Sequence, residues 1–110
     1  MNAQEFAEWL DTLSLPDRIR VLIRVYSTMT IHTRELFWPG ALQGKEQGGL
    51  DMLHGVNEIH HTLANFLGAY ADNDASWPPQ VLSQQLLEIA QQYRIVGALN
   101  SAIESARPRD

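Results

Sequence analysis

The sequence predicts an all-α chain, a four-helix up-down bundle with one short and three long helices, assembled as a homodimer. Three observations predict it. Apolar residues recur at spacings of three and four along every long segment, and no two-residue alternation persists. Residues suited to helix caps and first turns, Asn2, Ser14-Leu15-Pro16 and Ser76-Trp77-Pro78-Pro79, stand just ahead of those segments. At 110 residues the chain is one domain with a single modest core.

The first helix is expected over about 3–13. Asn2 followed by Glu5 makes a capping box, and Phe6, Trp9, Leu10 and Leu13 fall on one face. Ser14 then offers its hydroxyl to the Asp17 amide, and Pro16 sits where its missing N–H costs nothing, so a second helix runs 16–38. Its expected core stripe is Ile19, Leu22, Ile23, Tyr26, Met29, Thr33, Leu36 and Phe37. The β-branched density of this stretch lowers helix propensity and makes a strand over 19–26 the competing reading, rejected because the apolar spacing is not two. Trp38-Pro39-Gly40 ends the helix. Residues 39–49, with four glycines and a proline, read as a flexible loop.

A third helix is expected over 50–71, with Met52, Leu53, Val56, Ile59, Leu63, Phe66, Leu67 and Tyr70 inward and Asn73 as the left-handed residue that closes it. The last helix is expected to run unbroken over 79–105, roughly 40 Å. Along it Leu82, Leu86, Ile89, Tyr93, Val96, Asn100 and Ile103 alternate spacings of four and three, a heptad seam. Ile95, Leu99 and Ala102 form a second apolar stripe. Residues 106–110 are a frayed tail. The long helices carry more apolar surface than the short one covers, so the seam is expected to pair with a second copy. Asn100 reads equally as the residue that fixes its register or as a capped or solvent-facing amide near a helix end.

Composition excludes several chemistries. With no cysteine there is no disulfide, thiolate nucleophile or Cys-ligated metal site. A net charge of −5 weighs against nucleic acid, and the apolar runs are too short to span a membrane. The start, Met1-Asn2-Ala3-Gln4-Glu5, is acidic where a secretion signal is basic, which places the chain in the cytoplasm. No serine pairs with a histidine and an acid at a diagnostic spacing, and Gly44-Lys45-Glu46 is not a phosphate-binding loop. An enzymatic role is therefore disfavoured.

Two polar features remain. On the third helix Asp51, His54, Glu58, His61 and Asn65 fall within an arc of about 80°, opposite the core stripe. Glu58-x-x-His61 is the pairing that carboxylate-bridged metal bundles use. His54, Glu58 and His61, with Glu35 from the second helix, are thus a candidate site for iron, manganese or zinc, completed across a dimer. The ordinary reading is a solvated helix face, and it is the favoured one. His32 and His60 lie at the edges of their core stripes, where a hydrogen-bonded structural histidine is expected. Seven arginines against one lysine favour fork-like ion pairs, and Arg20, Arg24 and Arg34 share a face expected to meet Glu5, Glu8 and Asp11 of the first helix. Phe37, Trp38 and Trp77 stand at helix–loop junctions, where plugs for the bundle ends are the favoured reading and a binding hot spot the alternative.

The run Leu53-His54-Gly55-Val56-Asn57-Glu58-Ile59-His60-His61, with Thr33-Arg34-Glu35 upstream and a long helix after Trp77-Pro78, resembles small uncharacterised bacterial helical proteins over about residues 25–105. The resemblance implies a bacterial cytoplasmic protein and no site residue. The expected function is protein–protein interaction, as adaptor, regulator or inhibitor, through self-association and a further protein partner. A metal-binding bundle is the alternative.

Overall fold

Helix formation follows the caps. A computed structural model of the chain describes residues 2–36 and 46–107, the side chains of 32–36 and 46–52 excepted. Five helices succeed one another: α1 (Ala3–Asp11), α2 (Leu15–Leu36), α3 (Glu46–Ala71), α4 (Pro79–Gln92) and α5 (Val96–Ala106). No strand occurs among the described residues. At the start of α1 the Asn2 side chain accepts a hydrogen bond from the Glu5 amide at 2.8 Å. At the start of α2 Ser14 Oγ accepts more loosely from Asp17, at 3.4 Å. α3 closes as a Schellman turn: the Asp74 amide bonds the Ala69 carbonyl, the Asn73 amide bonds that of Tyr70, and Asn73 takes φ 62°.

The expected helix over 79–105 is two helices. A second Schellman turn interrupts it, with the Ile95 amide on the Ala90 carbonyl, the Arg94 amide on that of Gln91, and Arg94 itself at φ 60°. An arginine is a poor occupant of that conformation, because its Cβ crowds the backbone. The turn persists because it buries a better face. After it, Ile95, Leu99, Ala102, Ile103 and Ala106 are all buried, a set drawn mostly from the second apolar stripe rather than from the heptad positions.

The helices pack as two layers. α3 is antiparallel to α2, since Arg18 lies over Tyr70 while Tyr26 stacks on His60. It is also antiparallel to α4, since Phe66 meets Trp77 at one end and Gly55 meets Tyr93 and Ile95 at the other. α1 lies on α4, and α5 turns back against α2 with an edge of α1. Their shared interior holds Phe6, Leu10, Leu22, Val25, Met29, Ile59, Leu63, Leu82, Leu86, Leu99 and Ile103, all fully buried.

α2 is rotated from the expected face. Val21 and Val25 are buried, whereas Ile23 is 51% and Ile31 53% exposed and Tyr26 lies near the rim at 37%. The reason is α5: with two helices against it, α2 turns the Leu22/Val25/Met29 line inward and leaves part of its β-branched surface outside. α3 also begins earlier than expected: residues 46–49, read as the end of a flexible loop despite Gly48 and Gly49, are already helical, because the α3 hydrogen-bond ladder carries through them. The expected helix end at 37–38, the rest of the loop over 39–45 and the residues Phe37 and Trp38 lie outside the described residues.

Two backbone positions give opposite predictions. At Gly55 a Cβ would stand 2.7 Å from both the Tyr93 Cβ and the Ile95 Cδ1, so Gly55→Ala should force α3 and the α4–α5 turn apart and lower stability by about 1–3 kcal/mol in denaturant titration. Arg94→Gly removes the left-handed strain at an exposed residue and should raise stability by about 0.5–1 kcal/mol. A loss on Arg94→Gly would show that the turn does not exist.

Candidate functional site

The most interlocked polar group is one the sequence reading passed over. Arg18 lies four residues before Leu22 on the buried face of α2 and is only 9% exposed. Its Nε donates to the Leu13 carbonyl at 3.1 Å and one terminal nitrogen to the Asp11 carbonyl at 3.3 Å, with the Asp11 carboxylate at 3.7 Å. Those carbonyls belong to the end of α1 and the turn after it, where a cation also suits the helix dipole. The guanidinium sits 5.4 Å from the centre of the Tyr70 ring. Burial raises the Tyr70 phenol above its ordinary pKa, with Arg18 opposing, so the hydroxyl stays protonated and donates to the Trp77 carbonyl at 2.6 Å. Trp77 itself stands edge-on to Phe66 at 4.9 Å and remains 36% exposed. It closes that end only in part.

Of the candidate metal residues, His54, Glu58 and His61 are described. His54, Glu58 and His61 are exposed on α3, together with Asn65. Among the described residues no three histidine or acidic side chains come close enough to hold an ion. The Glu58 carboxylate instead accepts from the Tyr93 hydroxyl at 3.0 Å, across to the α4–α5 turn. Glu35, Asp51 and His32 have side chains outside the described residues. His60 is the structural histidine expected: its ring stacks on Tyr26 at 4.2 Å, with Nε2 3.4 Å from Thr30 Oγ1.

The heptad residues are enclosed within the chain. Leu82, Leu86 and Ile103 are fully buried, Ile89, Tyr93 and Val96 pack half-buried against the same core, and Asn100 is half-buried. The Arg94 turn breaks the helix between Tyr93 and Val96, so the alternation of four and three no longer traces one face. The seam expected to pair with a second copy is therefore not a single outward surface. Nor do the arginines meet the acids of α1 as expected. Asp11 is taken by Arg18, Arg20 bonds Asp17 of its own helix at 3.2 Å, and Arg24 has no carboxylate within ion-pair reach among the described residues. The Arg34 side chain lies outside them.

Among the described residues the most exposed large hydrophobics, Ile23 and Ile31, stand on the outer face of α2, with Val81 and Trp77 exposed to a lesser degree on another side. Ile23, Ser27 and Ile31 form a row at four-residue intervals, flanked by Arg20 and Arg24. No helix among the described residues is long and apolar enough to cross a membrane. No protein-family model matches the chain, and no curated protein or solved structure matches it.

His60 makes stability depend on pH. Desolvation chiefly, and the neighbouring His61 to a lesser degree, hold its pKa below the ordinary 6.5, while a hydrogen bond to the Tyr26 backbone opposes them. The folded state thus binds the proton less readily than the unfolded chain, and stability is lost as pH falls through 6.5 toward the lowered native value. Urea midpoints between pH 8 and pH 5 should fall, and His60→Gln should flatten that part of the profile.

Proposed function

We propose that the chain acts by protein–protein interaction, as a self-associating helical adaptor or regulator, and that it pairs through the outer face of α2. The observation that carries this is the pair of isoleucines more than half exposed on one ridge. Scattered exposed apolar residues need no explanation, but two on one row with a small residue midway make a contact surface. A row at four-residue intervals is the ridge that packs against its own symmetry mate at a crossing angle near −50°. With Ser27 at the crossing point the two backbones can approach closely, and each Ile23 lies beside the other copy's Ile31. Arg24, one turn from the crossing point, stays near its counterpart across the pair and opposes the contact.

The interaction is weak by construction. Each isoleucine is already about half covered, so completing its burial contributes about 1 kcal/mol. Four of them give about 4 kcal/mol, set against an association cost of at least that size. On these four residues alone the balance is near zero, so pairing at millimolar concentration or below requires further buried surface around the ridge. Because the row is flanked by like charges, added salt should strengthen it.

Sedimentation velocity over a concentration series checks this reading. A monomer–dimer equilibrium that shifts toward dimer with salt is expected. Ile31→Glu should abolish it while leaving the thermal midpoint within about 2 °C, since the residue is exposed. A sample that stays monomeric at millimolar concentration, or a dimer indifferent to Ile31→Glu, ends the proposal.

A further inference from the structure

A groove of about 350 Å³ lies where α1, α2 and α5 meet. Its floor is apolar: Trp9 and Leu13 from the first helix and the turn after it, Val21 from α2, and Ala106 from α5, the last two buried. Its rim carries Arg20 and Arg24. Asp17, also at the rim, is engaged with Arg20 at 3.2 Å, which leaves Arg24 as the arginine lining the groove with no carboxylate within ion-pair reach among the described residues. An apolar hollow with one free guanidinium at its mouth is unusual on a chain of net charge −5. Arg18, by contrast, is spent on the carbonyls at the end of α1, and Arg94 stands on the α4–α5 turn, outside this groove.

We infer that this groove binds a small apolar carboxylate, its hydrocarbon or aromatic body on Trp9, Leu13 and Val21 and its carboxylate on Arg24. The volume matches the lower range of small-ligand sites, and at roughly 30 Å³ per water-sized unit it holds about twelve heavy atoms. That is the size of a medium-chain fatty acid or an aryl-alkanoic acid. The charge at the mouth selects the anion: a guanidinium grips a carboxylate with two parallel hydrogen bonds, which neither an alcohol nor an amine can reproduce. The floor supplies binding without head-group selectivity. This site does not depend on pairing through Ile23 and Ile31.

Octanoate, 1-octanol and octylamine are the probes, titrated into the full chain and followed by amide and indole NMR. Octanoate should shift the Trp9 indole signal and the Val21 and Ala106 amides in a saturable way, and bind about tenfold more tightly than the alcohol. Arg24→Gln, at an exposed position, should weaken octanoate about tenfold and leave octanol unchanged, whereas Arg94→Gln should alter neither. The inference is overturned if octanoate gives no saturable shift by about 5 mM. It is equally overturned if the shifts map away from Trp9, if octylamine binds as well as octanoate, or if Arg24→Gln leaves octanoate affinity intact.

Discussion

Arg18 is the constraint on which one whole end of the molecule depends. A buried guanidinium is costly unless every donor finds a partner and the charge is offset. Here the offset comes from three directions: the carbonyls that α1 leaves unpaired as it ends, the Asp11 carboxylate, and the electron-rich face of Tyr70. Each partner is thereby fixed. The α1–α2 turn cannot shift without stranding the charge, and Tyr70 cannot shift without releasing the Trp77 carbonyl that starts the approach to α4. One side chain therefore sets the positions of α1, α2, the end of α3 and the start of α4. This is a polar interaction, but it specifies where the apolar faces meet.

At the opposite end the same function is served by an absence. Gly55 has no side chain, and the α4–α5 turn occupies the space where one would be, with Tyr93 and Ile95 against the α3 backbone. From there Tyr93 reaches Glu58, one turn further along α3. The polar face of α3 that suggested a metal site is thus partly a bracket for this turn. Three of its other members, His54, His61 and Asn65, face water, as the polar side of an amphipathic helix does.

The sequence carried the local signals well and the long-range ones poorly. Asn2, Ser14 and Asn73 perform the roles their chemistry implied, because caps and left-handed closures are decided within four or five residues. The interruption at Arg94 was not legible: no glycine, asparagine or proline marks it, and the heptad spacing runs through it unbroken. What decides it is the second apolar stripe, Ile95, Leu99 and Ala102, whose burial against α1 and α2 outweighs the strain of an arginine at positive φ. That preference exists only once the other helices are in place. The rotation of α2 has the same origin. Ile19, Leu22, Ile23, Tyr26 and Met29 satisfy helical spacing as well as Arg18, Leu22, Val25 and Met29 do, and α5 chooses between them. Arg18 was legible in principle, since it stands four residues before Leu22 on the buried line, but a charge there reads as an exception until its carbonyl partners are located.

Both exposed features of the outer surface follow from that single interruption. Were the last helix continuous, it would extend past Gly55 in line with α4 and leave the Val21/Val25 side of α2 bare. Folding α5 back covers that side, turns Ile23 and Ile31 outward, and brings Ala106 beside Val21 and Trp9. The groove beneath Arg24 has a floor only because α5 ends there. The unfavourable backbone of Arg94 thus stores strain for both outer surfaces, the ridge on α2 and the hollow beside it. Any change that straightens the turn would remove the two together and leave the Arg18 end of the fold in place.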